Sequence, residues 1–362
     1  MEAKFNNGAV PLINDLIDKA ASLDASDIHI EPNGNSLRVR YRVDGLLQPG
    51  IIIHRSMQQQ IISRIKIIGG MDISEQRIPQ DGRTFIRVGN REFDLRISIV
   101  PAFHGEKAVF RLLDRKKTAL PLEELGMPEE NLAYYKNEIE KPQGLIIVCG
   151  PTGCGKTTTL YSSLEKINKD HLNIVTIEDP VEYQLPKINQ MQVNQKTGLT
   201  FALGLRGILR QDPDVIMIGE IRDSDTAIIA IQAAMTGHLV FSTLHTNDAA
   251  SSVVRLIDMG IEPYLISSTL KCVVSQRLAR KLCGSCKGNG CKLCNQAGFK
   301  GRIGIFEMLK VDDKVKDLIN GKVSSHELSR SAVTRTMIEN AEVLIKSGVT
   351  TKEEVARTIS TE

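Results

Sequence analysis

The chain has 362 residues, enough for two or three domains at about 150 residues each. Its 46 Lys and Arg against 43 Asp and Glu leave a formal charge of only +3, which excludes a global polycation built to coat nucleic acid. With 41% hydrophobic and 25% charged residues it reads as an ordinary globular protein, and no apolar run approaches the ~18 residues that span a bilayer. Met1 to Val10 lacks the apolar stretch of a secretory signal, so the seven cysteines are expected in a reducing cytosol, as metal ligands before disulfides.

In chain order, Ile13, Leu16, Ile17 and Ala20 mark one face of a first helix. Ser36 to Val43 alternates apolar residues with Arg38, Arg40 and Arg42, as a half-buried strand with a basic outer face does. Thr84–Val88, Phe93–Ile99 and Lys107–Leu113 read as further strands, giving a small α+β domain over 9–113. The polar 114–143 stretch, with Pro121, Pro128 and Pro142, reads as a linker carrying a short helix. From 144 to 362 the texture changes. Apolar runs at Leu145–Cys149, Ile174–Ile177, Val215–Ile218 and Leu239–Thr243 alternate with helical stretches, the pattern of buried parallel strands in an α/β domain. The remainder, 311–362, is helical and charged.

Gly150-Pro151-Thr152-Gly153-Cys154-Gly155-Lys156-Thr157 fits G-x-x-x-x-G-K-[ST], between an apolar strand and a helix expected over Thr158–Ile167. In such a loop backbone N–H groups wrap phosphates, the lysine reaches the β/γ-phosphates, and the Thr157 hydroxyl serves Mg²⁺. Hydrolysis also needs charge at the metal and a positioned water. Glu178 and Glu220 follow strand-like runs and are the candidate carboxylates at strand ends. His238 and His245 flank the run Leu239–Thr243; each reads equally as a γ-phosphate contact or as a satisfied buried histidine.

Cys283-x2-Cys286-x4-Cys291-x2-Cys294 pairs two C-x-x-C knuckles, the donor set of a structural zinc site. Cys149, Cys154 and Cys272 stand alone and read as packing. Around the knuckles, Lys271 to Arg302 holds eight Lys or Arg and no Asp or Glu. Stacking aromatics are nearly absent, with only Phe299 there and no Trp in the chain, so stable nucleic-acid binding is not expected.

These motifs, together with Ser26-Asp27-Ile28-His29-Ile30-Glu31-Pro32, Arg40-Tyr41-Arg42-Val43-Asp44-Gly45, Gln80-Asp81-Gly82-Arg83 and Gly105-Glu106-Lys107, resemble the secretion ATPase superfamily, specifically the assembly ATPases of type II secretion and type IV pili. Within the resemblance, Ile174–Glu182 is similar to an Asp box, Gly219–Asp223 to a Walker B region and Thr236–Asp248 to a His box. The resemblance implies a PAS-like N-terminal domain, a RecA-like ATPase core and a homo-hexameric ring binding ATP and Mg²⁺. It makes Glu178 the carboxylate that orients water and Glu220 a partner of Mg²⁺ through its water shell. It brings His238 and His245 near the γ-phosphate, and Arg83, Arg96 and Arg111 of the N-terminal domain against the nucleotide. It also places a tetracysteine zinc element at 283–294, shorter here than the family's usual spacing. The implied function is a cytoplasmic motor, peripheral at the inner face of the cytoplasmic membrane, that powers a pilus or pseudopilus through a membrane platform protein. Longer members carry one or more extra N-terminal domains, whereas this sequence starts almost directly at the Ser26 domain, as either a naturally short form or a trimmed piece of a longer chain would. Two other classes fit parts of the sequence: a zinc-containing nucleic-acid translocase and a nucleotide switch without turnover.

Overall fold

The Ile13–Ala20 stripe forms helix α1 (Ala9–Ser22), which buries Leu12, Ile13, Leu16, Ile17, Ala20 and Ala21. The computed structural model describes residues 8–115, 119–333 and 335–359. They divide into two units, Met1–Lys117 and Thr118–Glu362.

In the first unit, α1 is followed by β1 (Asp27–Asn33), β2 (Ser36–Val43), β3 (Leu46–His54), α2 (Gln58–Gly69), β4 (Gln80–Val88), β5 (Arg91–Ala102) and β6 (Gly105–Asp114). The strands make an antiparallel sheet in the order β3-β2-β1-β6-β5-β4. Ile28, Ile30, Val39, Leu95, Ile97 and Phe110 turn toward α1 and α2, and this burial supplies the unit's core. Because directly opposed residues share a face, the register Arg83↔Arg96↔Arg111↔Asp27↔Arg42 lays a charged row across five strands.

The second unit opens with α3 (Glu129–Ile139), then β7 (Gly144–Cys149), α4 (Lys156–Ile167), β8 (Ile174–Glu178), β9 (Asn189–Gln192), α5 (Phe201–Ile208), β10 (Val215–Ile218), α6 (Ser224–Met235), β11 (Leu239–Leu244), α7 (Ala249–Asp258) and α8 (Pro263–Thr269). The long strands β12 (Leu270–Leu282) and β13 (Phe299–Lys310) follow, and then α9 (Asp313–Asn320), α10 (Ser325–Ala332), α11 (Met337–Lys346) and α12 (Lys352–Thr358). The sheet order is β13-β12-β7-β11-β10-β8-β9, parallel except for β13. Strands β7, β8, β10 and β11 are buried at every position among helices on both faces, which is why each reads as a mostly apolar run, broken only by Thr176 and Glu178 in β8 and Ser242 and Thr243 in β11.

Two sequence expectations change here. The 114–143 stretch is not a free linker: Tyr135 and Ile139 of α3 are fully buried with Ile146, Val148 and Leu160, so α3 belongs to the second unit's core. The tetracysteine segment sits at the tip of a β12–β13 ribbon whose charged residues hide its strand character in the sequence. Among the described residues no helix is long and apolar enough to cross a membrane.

Candidate active site

The phosphate-loop motif leaves β7 at its carboxyl end and enters α4. Gly150, Gly153 and Gly155 have φ of +140°, +80° and +93°, where a side chain is strained. A Cβ on Gly150 would lie 2.6 Å from the Gln276 carbonyl oxygen, so the turn also needs glycine for space. Lys156, nearly buried, donates from Nζ to the carbonyls of Gly150 (2.8 Å) and Pro151 (3.2 Å). Burial lowers its pKa from the ordinary lysine value, opposed by Cys154, Cys149 and Glu220. The α4 N-terminus has no side-chain cap, which leaves its N–H groups for a ligand.

Gln276 of β12 braces the loop from the side. Its Nε2 donates to the Cys154 carbonyl (2.6 Å), and its Oε1 accepts from the Thr159 hydroxyl (2.7 Å). Arg277 beside it donates to the carbonyls of Asn247 (2.8 Å) and Gln276 (3.1 Å). Neither residue belongs to the motifs read from the sequence. Their signal is a polar pair inside an otherwise buried strand.

Parallel pairing of β7, β11, β10 and β8 brings the ends of these strands to one edge of the sheet. Glu178 ends β8 at 2% exposure, on the α4 side. It accepts from Thr176 Oγ1 (2.6 Å), Gln190 Nε2 (3.1 Å) and the Tyr161 hydroxyl. Burial raises its pKa above the ordinary carboxylate range, and these donors oppose the rise. Glu220, just past β10, is held by Arg222 and by His245 Nε2 at 3.1 Å. Glu220 also pulls on the charge of Lys156, so Lys156, Glu220 and His245 share one neighbourhood.

His238 is a correction. It precedes β11, where its carbonyl accepts from Gly144 N–H at the opening of β7, and its Nδ1 lies 2.9 Å from the Ala233 carbonyl. Six residues of β11 at ~3.3 Å each separate it from His245, putting it at the opposite edge of the sheet from the phosphate loop. Within this chain it is the satisfied histidine, not a γ-phosphate contact.

In the first unit Arg83 pairs with Asp94, and Arg111 Nε with Asp27 at 3.1 Å. Arg96 stands between them in register.

The four sulfurs of Cys283, Cys286, Cys291 and Cys294 all lie within 4.8 Å of one another. The pairs 286–294 and 291–294 are 3.7 Å apart and 283–291 is 3.8 Å. A tetrahedral ion with Zn–S near 2.3 Å sets sulfur–sulfur edges of about 3.8 Å, so the cage fits zinc. The N–H groups of Cys291 (3.2 Å) and Gly298 (3.3 Å) donate to Cys294 Sγ, the contact expected for a thiolate. Cys149, Cys154 and Cys272 are buried away from this cage.

The sequence profile of the family described as "Type II/IV secretion system protein" matches residues 2–357. The chain belongs to this family. It is 50% identical over 359 residues to the type II secretion system protein HxcR of Pseudomonas aeruginosa, spanning 96% of this chain and 76% of that one. It is 44% identical over 384 residues to the type IV pilus assembly ATPase PilB of Thermus thermophilus, spanning 98% of this chain and 43% of that one. Among solved structures it resembles the pilus retraction motor PilT with bound ADP, with a TM-score of 0.68, 30% identity and coverage of 95% and 96% of the two chains. Membership, with the phosphate loop in place, makes the protein an ATPase of the secretion and pilus-assembly class, built on the α/β core and helical C-terminus described above.

Proposed function

We propose that this chain is a ring-forming ATP motor, a homo-hexamer, that powers assembly of a type II secretion pseudopilus or a type IV pilus. It works from the cytoplasmic face of the membrane through a membrane platform protein. The observation that carries the reading is the gathering of Lys156, Glu178, Glu220 and His245 at the carboxyl ends of adjacent parallel strands, the edge where open α/β sheets take their ligands. Similarity to a type II secretion system protein, a type IV pilus assembly ATPase and a pilus retraction motor supports the rest.

In this reading, the N–H groups of the loop over 150–158, apart from Pro151, which has none, hold the ATP phosphates, and Lys156 leaves its two carbonyls to reach the β/γ oxygens. Thr157, through its hydroxyl, and Glu220 would hold Mg²⁺. When bound, Mg²⁺ would supply positive charge against the charge that develops on the phosphate oxygens. Glu178 orients the attacking water and accepts its proton; His245, fixed by Glu220, faces the γ-phosphate. Arg83 and Arg111 exchange their carboxylate partners for phosphate oxygens in a closed state, and Arg96 adds its charge there, so that charge stabilisation is completed only on closure. Cys283, Cys286, Cys291 and Cys294 would hold a structural zinc ion, which would fasten the ribbon tip.

The test is ATP hydrolysis against protein concentration, with Lys156→Ala as blank. Specific activity that climbs with concentration and vanishes in the variant is expected. Flat specific activity overturns assembly-dependent catalysis, and no hydrolysis at any concentration overturns the motor.

A further inference from the structure

Glu178 is held from three elements at once. Its Oε1 accepts from Thr176 on its own strand at 2.6 Å and from Gln190 Nε2 on β9 at 3.1 Å; its Oε2 accepts from Tyr161 on α4. The direction of each bond is fixed by what lies behind it. The Tyr161 oxygen accepts from the Glu182 N–H and from Gln190 Nε2, both at 3.3 Å. The Gln190 NH₂ shares its two N–H bonds among Tyr161, Glu178 and the Tyr183 carbonyl, and it and the Glu182 N–H can only donate, so the single Tyr161 proton is left to Glu178 Oε2. Gln190 is oriented the same way: its Oε1 accepts from Leu185 N–H at 2.7 Å, which turns the amide NH₂ toward Glu178 and the Tyr183 carbonyl. The Tyr161 ring is seated edge-on against Tyr183 at 4.7 Å between centroids.

A carboxylate has about four acceptor positions. Three are taken, and the one left is on Oε2. Every protein hydrogen bond made to this carboxyl is a donated one, so the setting favours the ionised form in a place whose burial disfavours it. The titratable groups facing it are Tyr161 on α4 and, in the segment after β8, Tyr183 and Glu182, whose negative charge opposes ionisation. Tyr161 lies five residues into α4, the helix that begins at Lys156, so the grip on Glu178 and the phosphate cradle share one rigid element.

We propose that Tyr161 and Gln190 are positioning residues for hydrolysis: together they hold Glu178 as an ionised, oriented acceptor with one open lone pair for the attacking water. This deepens the reading that Glu178 is the water-orienting carboxylate and rests on it.

Tyr161→Phe keeps the ring against Tyr183 and removes one donor; Gln190→Ala removes the other from a half-exposed edge strand. Both are compared in the intact chain with wild type and Glu178→Gln, by steady-state ATP hydrolysis from pH 5 to 9 in Mg²⁺. We expect kcat to fall about tenfold or more with KM within twofold, and the acid limb of the kcat profile to move up by about one pH unit, since losing a donor to the ionised form raises the carboxyl's pKa. An unmoved acid limb in both variants, whether or not kcat falls, overturns the proposal while leaving Glu178 in its role, provided Glu178→Gln is inactive. Undiminished turnover in Glu178→Gln overturns the underlying assignment and the positioning role with it. If Tyr161→Phe fails to fold, Gln190→Ala alone decides by the same two readouts.

Discussion

Lys156 makes two bonds to its own loop, to the carbonyls of Gly150 and Pro151, and a phosphate must take it from them. Lys156→Ala is therefore expected to cut ATP turnover at least 100-fold while leaving the fold intact, because the lost ammonium acts on transition-state charge and the vacated carbonyls can meet water. Steady-state hydrolysis and a thermal melt separate the two effects. Gly155 carries a different constraint. At φ +93°, and with a Cβ there reaching within 3.0 Å of Gln276 Nε2, Gly155→Ala should cost about 1–2 kcal/mol and loosen the Gln276 brace, seen as a lower Tm and a raised KM. At this scale the sequence was most readable where chemistry is written as contiguous residues: the phosphate loop needs its glycines and lysine in one stretch. Tyr161, Gln190, Gln276 and Arg277 escaped because each is an ordinary polar residue whose partner lies far along the chain. His238 misled for the complementary reason. Its distance from His245 in sequence is short, but an extended strand turns seven residues into the width of the sheet.

Among the elements, β13 carries a residue that joins two helices. Glu307, buried, accepts from the N–H of Ala249 at the start of α7 (3.2 Å) and of Met337 at the start of α11 (3.3 Å). Both are orphan donors of a first helical turn, and a carboxylate also complements both dipoles. Glu307→Ala leaves two buried N–H groups unpaired and should destabilise the second unit by about 2–4 kcal/mol, measurable by urea unfolding. Because α7 follows His245 directly, turnover should fall with it. The cysteine cage gives a second test at this scale. Stripping the metal with a strong chelator, or Cys286→Ser, is expected to open 283–298 to protease while β7–β11 stay protected from hydrogen exchange. Strands β7, β8, β10 and β11 were legible because full burial leaves each of them a mostly apolar run. For α3 the sequence shows a short helix but not its place in the core, since the flanking Pro128 and Pro142 and the acidic first turn suggest a linker while Tyr135 and Ile139 are buried. Strand β12 was hidden by its arginines, whose charge is satisfied by distant partners such as Glu354 on α12 for Arg280.

For the whole molecule, each unit carries a carboxylate held far below its ordinary pKa. Burial works against the charge of Glu31, but Arg40 and Lys107 outweigh it and bring the pKa to about 2; Glu354 reaches about 2 in the same way through Arg357 and Arg280. A depressed folded-state pKa contributes stability that is complete above the unfolded value near 4.3 and is lost as pH falls from there toward 2. Stability measured by denaturant at pH 7 and pH 3 should therefore drop, and the drop should shrink in Glu31→Gln for the first unit and in Glu354→Gln for the second. Such paired charges also qualify the basic stretch 271–302: Arg277 and Arg280 are engaged within the unit, leaving less free positive surface than composition implies.

The ribbon formed by β12 and β13 has an evolutionary and engineering consequence. Leu282 and Phe299 are cross-strand partners, and Cys283 N–H meets the Gly298 carbonyl at 2.9 Å, so the cysteine segment enters and leaves at one point. Loop closure grows only as the logarithm of length, about 0.6 kcal/mol per doubling. Whatever lies between those two partners can be lengthened, shortened or replaced without disturbing the strands that brace the phosphate loop. The segment is an exchangeable cassette, and a graft of a longer or metal-free turn between Leu282 and Phe299 should yield a folded, ATP-hydrolysing chimera.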